Sequence, residues 1–162
     1  MNVSRSDQSG ATDAVIDAVL FASRALVAVA ARSLSDLGEE VTLAQYRTLV
    51  VLASQGPHSL AGLADAVGVT PATATRMCDR LVKKKLIIRR TERGDRRQLR
   101  LALTERGQTL VQSVSKRRRR EIEKILSEIP MSEQTSLIQA LSRFTAAAGE
   151  VPDQDWSAGW DL

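Results

Sequence analysis

The sequence predicts a mainly α fold with a single β-hairpin set among its helices. Apolar residues recur at helical spacing along most of the chain, while one basic stretch near residue 90 switches to strand-like alternation. Gly, Pro and hydroxyl-bearing residues stand where helices must stop and start. With 162 residues, 43% of them hydrophobic, the chain can build one compact core and is short for two.

Residues 1–10 are polar and read as a loose N-terminal arm. The first helix is expected to start at Thr12 or Asp13, either of which can cap it, and to end at Gly38. Of residues 14–31 only Asp17, Ser23 and Arg24 are polar, so this helix is apolar nearly all round and should be buried nearly all round. A signal peptide or membrane span is not expected: Asp7 and Asp13 precede the apolar run, charges interrupt it, and much of it is weakly hydrophobic alanine. A second subunit covering one side fits better.

Thr42 reads as the cap of a second helix with Leu43, Tyr46, Leu49 and Val50 on one face, stopped at Gly56-Pro57. Ser59 caps a short third helix ending at Gly68, and Thr70-Pro71 starts a fourth at once. Ala74, Met77, Cys78 and Leu81 form the core face of that fourth helix. Its other face carries Ala72, Thr73, Thr75, Arg76, Asp79, Arg80 and Lys83: small or hydroxylic residues first, then mostly cations. Residues 86–90 and 99–103 read as the strands of a hairpin, with residues 91–98 as its polar turn. Thr104 caps a fifth helix running to about Ile129, where Pro130 stops it, and Ser132 caps a sixth with Leu137, Ile138, Leu141 and Phe144 on one face. Residues 149–162, with Trp156 and Trp160, form a C-terminal tail.

Two short helices joined at Gly68, the second slim and hydroxylic at its leading end, match a helix-turn-helix that enters a DNA major groove. Thr73 and Thr75 can bond base edges or phosphates, Arg76 can reach a guanine edge, and free helix-N-terminal amides can hold a phosphate. Between Arg76 and Arg106 twelve Lys or Arg face four acids, a net +8 in a chain whose total is +4. Positive charge is thus concentrated on the reading helix and hairpin, the footprint expected of duplex binding. Aromatics at 3% argue against a base-stacking surface for single strands.

From Leu43 to Gly107 the chain resembles the winged-helix core of the MarR family. LAQYRTLVVL, LAGLADAVGVTPATATRMCDRLVKKKLIIR and GDRRQLRLALTERG carry the likeness. The resemblance implies a winged helix-turn-helix over residues 42–103 and a helical dimerisation region from residues 11–38 and 104–148. It implies a recognition helix from Pro71 to about Leu86, and a wing whose Asp95-x-Arg97 motif puts Arg97 in the minor groove. It also implies a homodimeric cytoplasmic repressor on a pseudo-palindromic operator, released by an effector or by oxidation. The expected DNA-binding residues are Ser59, Thr70, Ala72, Thr73, Thr75, Arg76, Arg80, Lys83, Asp95, Arg96 and Arg97.

The resemblance further implies a small anionic or aromatic effector between the dimer helices and the winged region, with Arg24, Tyr46, Arg47 and His58 as candidate liners. Cys78, the lone cysteine, falls on a core face where a thiol packs rather than senses oxidants. No cofactor and no metal are expected, since one histidine and scattered carboxylates make no ligand cluster. Nor is there a phosphate loop or catalytic triad pattern, so the chain is not expected to be an enzyme. The competing reading is a winged-helix protein-interaction module without specific DNA binding. Arg118, on the same face of the fifth helix as Val114, Ile122 and Ile125, should need a carboxylate, which Asp13 or Asp17 of a partner chain could supply.

Overall fold

The computed structural model describes residues 3–35, 41–92 and 95–150, and the side chains of these except at residues 3–9, 11, 92 and 95–98. Helices α1 (Val3–Ser35), α2 (Leu43–Gln55), α3 (Leu60–Val67) and α4 (Pro71–Lys83) precede strands β1 (Ile87–Glu92) and β2 (Asp95–Leu103). Helices α5 (Glu105–Leu126) and α6 (Met131–Ala147) close the described chain. Gly38, expected to end the first helix, lies outside the described residues, as do Trp156 and Trp160.

The caps explain most boundaries. Thr42 Oγ1 accepts from Gln45 N–H while Gln45 Oε1 accepts from Thr42 N–H, a reciprocal capping box at the head of α2. Ser59, Thr70 and Thr104 cap α3, α4 and α5 in the same one-sided way, each accepting from the amide three residues on. α3 ends in a Schellman motif: Gly68 is left-handed at φ 73°, with Gly68 N–H on Asp65 O and Val69 N–H on Ala64 O. α4 ends the same way, with Lys85 N–H on Val82 O and Leu86 N–H on Leu81 O. There the left-handed residue is Lys85, at φ 60°.

Several boundaries depart from expectation. α1 begins at Val3, inside the stretch read as a loose arm, because a helix once nucleated gains a backbone bond per residue without needing apolar side chains. α4 stops at Lys83 rather than near Leu86, since Leu86 is already committed to the Schellman turn. α5 ends at Leu126 rather than Ile129. α6 starts directly after Pro130, whose backbone takes the cap position with no side-chain bond, so Ser132 is a first-turn residue and not the cap. The hairpin strands also extend through Thr91, Glu92 and residues 95–98, which polarity had assigned to the turn. Ladder bonds are made by backbone, and a hairpin standing in solvent needs no apolar alternation to continue.

The core lies in the winged region. Leu49, Val51, Leu63, Cys78, Leu81, Leu86, Ile87, Val111 and Val114 are buried in one cluster, and α1 joins it only near its C-terminal end, through Leu34. β1 and β2 pair antiparallel from Ile87↔Leu103 to Thr91↔Leu99, and His58 adds a short bridge to Leu101. Outside this cluster α1 and α6 are largely bare, the buried Val29 and Ser33 of α1 excepted. Val15, Ile16, Leu20, Phe21 and Val27 of α1 are exposed, as are Ile138, Leu141 and Phe144 of α6, which buries no residue. By length and composition Thr12–Ser35 could cross a membrane. On α5, Arg118 Nε is buried without a hydrogen-bond partner among the described residues.

Two positions in one corner should respond oppositely to substitution. Lys85→Gly removes the left-handed strain at the α4 terminus and should stabilise the fold by about 0.5–1 kcal/mol in urea denaturation. A Cβ on Gly107 would sit 2.1 Å from Leu86 O, a backbone atom that cannot step aside. Gly107→Ala should therefore destabilise by about 1–3 kcal/mol or more, and an unchanged midpoint would contradict that packing.

Candidate nucleic-acid interface

Helix α4 is presented by burial of one face. Ala74, Met77, Cys78 and Leu81 are buried, which turns Ala72, Arg76, Asp79, Arg80 and Lys83 outward. The leading turn is slim, with Ala72 exposed and Thr73 and Thr75 half-buried. Its hydroxyls are partly committed. Thr70 Oγ1 donates to Thr73 Oγ1 at 3.0 Å and accepts from Thr73 N–H at 3.3 Å, while Thr75 Oγ1 donates to Pro71 O at 2.9 Å. Thr70 and Thr75 have thereby spent their protons and face a ligand as acceptors, while Thr73 keeps its own hydroxyl proton to donate. Pro71 has no N–H and Ala74 N–H is held by Thr70 O, which leaves Ala72 as the uncommitted amide of the first turn. The anion-holding amides expected at this terminus thus reduce to one.

Ser59, at the head of α3, is exposed and accepts from Gly62 N–H at 3.1 Å. Residues Asp95, Arg96 and Arg97 begin β2, but their side chains lie outside the described residues. The Cα register jumps from Thr91↔Leu99 to Glu92↔Asp95, so residues 96–98 bulge from the ladder. Arg89, on β1, donates through Nη2 to Asp79 Oδ1 on α4. Sequence reading missed this pair; ten residues separate its members, and only the hairpin's fold-back joins them.

The four candidate effector liners are not brought together. Arg24 lies over the Phe21 ring, 5.1 Å from its centroid, on the bare part of α1. Tyr46 is buried, its Oη 3.5 Å from Ser115 Oγ. Arg47 makes a two-pronged ion pair with Glu150, at 2.6 and 3.0 Å. His58 Nδ1 lies 2.9 Å from Gly56 O and its Nε2 3.1 Å from Gln55 Oε1. A different cleft, of about 620 Å³, opens between the end of α1, the head of α2 and the end of α4. Leu34, Val41, Leu43 and Gln45 line it, with Arg80 and Lys84. In the sequence Arg80 reads as a DNA contact and Lys84 only as part of the basic stretch; the packing of α1 against α2 gives both an apolar wall.

A MarR family profile matches residues 41–99, which span α2, α3, α4 and most of the wing. The crystal structure of RV1404 from Mycobacterium tuberculosis superposes with a TM-score of 0.81 at 44% identity, over 87% of this chain and 96% of that one. The chain belongs to the MarR family. MarR-family proteins are DNA-binding transcription regulators and not enzymes. The HTH-type transcriptional repressor MdtR of Bacillus subtilis is 29% identical over 119 residues, 74% of this chain and 77% of its own. The uncharacterized HTH-type transcriptional regulator YhbI of the same organism is 33% identical over 76 residues, so the match spans only 49% of that relative's length.

Cys78 lies on the inward face of α4 in this MarR-family chain, fully buried. Burial pushes its thiol pKa above the ordinary value, outweighing the opposing pull of Arg89, while Asp79 adds to the rise. A thiol both shielded and protonated is a poor nucleophile. At pH 8 the native protein should react with Ellman's reagent only as fast as it opens, and at once in denaturant; rapid stoichiometric reaction of the native chain would contradict this burial.

Proposed function

We propose that this protein is a sequence-specific duplex-DNA-binding regulator, a repressor that acts as a cytoplasmic homodimer on a pseudo-palindromic operator. The observation that carries the reading is the exposed face of α4. Its leading turn is slim enough for a major groove, and the cations Arg76, Arg80 and Lys83 follow where phosphates and guanine edges would lie. Ser59 and Thr70, at the heads of α3 and α4, supply backbone-positioning contacts, and Ala72, Thr73 and Thr75 face the bases. The wing, through Asp95, Arg96 and Arg97, reaches the neighbouring minor groove, where Asp95 directs Arg97.

Dimerisation is supported by the bare apolar residues of α1 and α6, which a second copy would cover. The carboxylate that Arg118 lacks would come from that copy. The effector reading moves from the four residues first considered to the cleft holding Arg80 and Lys84. An anion with an apolar body would suit its two cations and its Leu34, Val41 and Leu43 wall. Arg80 belongs to both sites, so occupancy of the cleft would compete with its approach to DNA.

A gel shift on the DNA flanking the protein's own gene, against random DNA of equal length at two salt concentrations, tests the function. A salt-sensitive shift preferring the flanking DNA is expected. Equal weak binding would leave only a basic surface, and no binding to either would favour the protein-interaction module. Arg76→Ala and Arg97→Ala should each weaken specific binding by about 1–3 kcal/mol. Both variants should sediment as dimers in detergent-free buffer; a monomeric wild-type chain would overturn the dimer.

A further inference from the structure

Asp79 is an anomaly on the reading face. It is exposed between Arg76 and Arg80, on a surface expected to meet phosphates, where a carboxylate repels. Its neighbour in space accounts for it. Strand alternation puts Ile87, Arg89 and Thr91 on one side of the hairpin. Ile87 is fully buried and Thr91 exposed, so Arg89 stands where the core-facing side runs out of core. Its cross-strand partner, Leu101, is still buried, while Leu99, opposite Thr91, is 58% exposed. The Asp79–Arg89 bond therefore joins α4 to the hairpin at the level where the wing leaves the body.

We propose that Asp79 is a positioning residue that, through Arg89, sets the angle between the reading helix and the wing. The proposal rests on the DNA-binding reading above. Both elements must meet one half-site together, and the wing is a lever. From Arg89 to Glu92 the strand advances about 10 Å, so a swing of about 10° carries its far end by about 2 Å, enough to break a hydrogen bond to DNA. The pair is half-exposed, with side-chain exposures of 53% for Asp79 and 43% for Arg89, so it adds little to stability. Its removal should leave the fold intact and change only the geometry of the wing.

The two accounts of Asp79 predict opposite signs. If it is only a surface charge, Asp79→Asn removes repulsion and tightens all DNA binding together. If it holds the wing, Asp79→Asn raises affinity for random DNA slightly and lowers affinity for the preferred flanking fragment, so their ratio falls about tenfold or more. Arg89→Gln should lower the ratio similarly, and the double variant should lose no more than the worse single one, because both break the same bond. The reversed pair Asp79→Arg with Arg89→Asp should recover most of the ratio. Hydroxyl-radical footprints of Asp79→Asn should lose wing protection at the edges of the site and keep that of α4 at its centre. An unchanged or increased ratio with intact wing footprints, at unchanged melting temperature, overturns the proposal while leaving the DNA-binding reading in place. Absence of any sequence preference in the wild-type protein overturns both.

Discussion

The carbonyl of Leu86 is the joint on which the rest of the molecule hangs. It accepts from Thr104 N–H at 3.1 Å, beside the Thr104 hydroxyl that donates to Lys85 O at 2.7 Å, while the Leu86 N–H closes the Schellman turn of α4 on Leu81 O. Thr104 in turn caps α5 through Gly107 N–H, and Gly107 comes so close to Leu86 O that no Cβ fits. One residue thus closes the end of α4, leads into β1 and fixes where α5 departs. Its own side chain is fully buried, so this hydrogen-bonded knot is anchored on the core.

From that joint the chain divides into surfaces of opposite character. The winged region buries its apolar residues and shows cations. α1 and α6 do the reverse, carrying isoleucine, leucine, valine and phenylalanine to the surface, whereas α5 follows the winged region, burying Leu110, Val111 and Val114 and bearing the basic run beginning at Lys116. Among the described residues nothing lies over these faces of α1 and α6, and an apolar stripe left in water favours association. The ion pairs Arg32–Glu121 and Arg47–Glu150 brace the helices at their edges, exposed enough to orient them without adding much stability.

Within the winged region the polar side chains are less free than their identities suggest. Thr70, Thr73 and Thr75 are bonded to one another or to backbone, His58 is bonded at both ring nitrogens, and Asp79 is spent on Arg89. Such commitments fix rotamers before any ligand arrives, which lowers the entropic cost of recognition. Arg80 and Lys84 differ, because they border a cleft and have no ion-pair partner among the described residues.

The element order, the caps at Thr42, Ser59, Thr70 and Thr104, the Gly68 turn and the buried face of α4 were all legible in the sequence. Each depends on residues within one helical turn, where backbone chemistry is local. Boundaries set by backbone alone were not legible: the early start of α1, the proline-led start of α6 and strands continuing through Glu92 and Asp95 leave no hydropathy signal. The family likeness was legible because its motif lies in one continuous stretch. What required tertiary structure was every relation between distant residues. The fold-back of the hairpin pairs Arg89 with Asp79, and the approach of α1 to α2 and α4 makes a cleft at Arg80 and Lys84 while leaving Arg24, Tyr46, Arg47 and His58 apart. Side-chain chemistry along a chain is set residue by residue, but which groups share a site depends on packing, and packing is decided by the whole core at once.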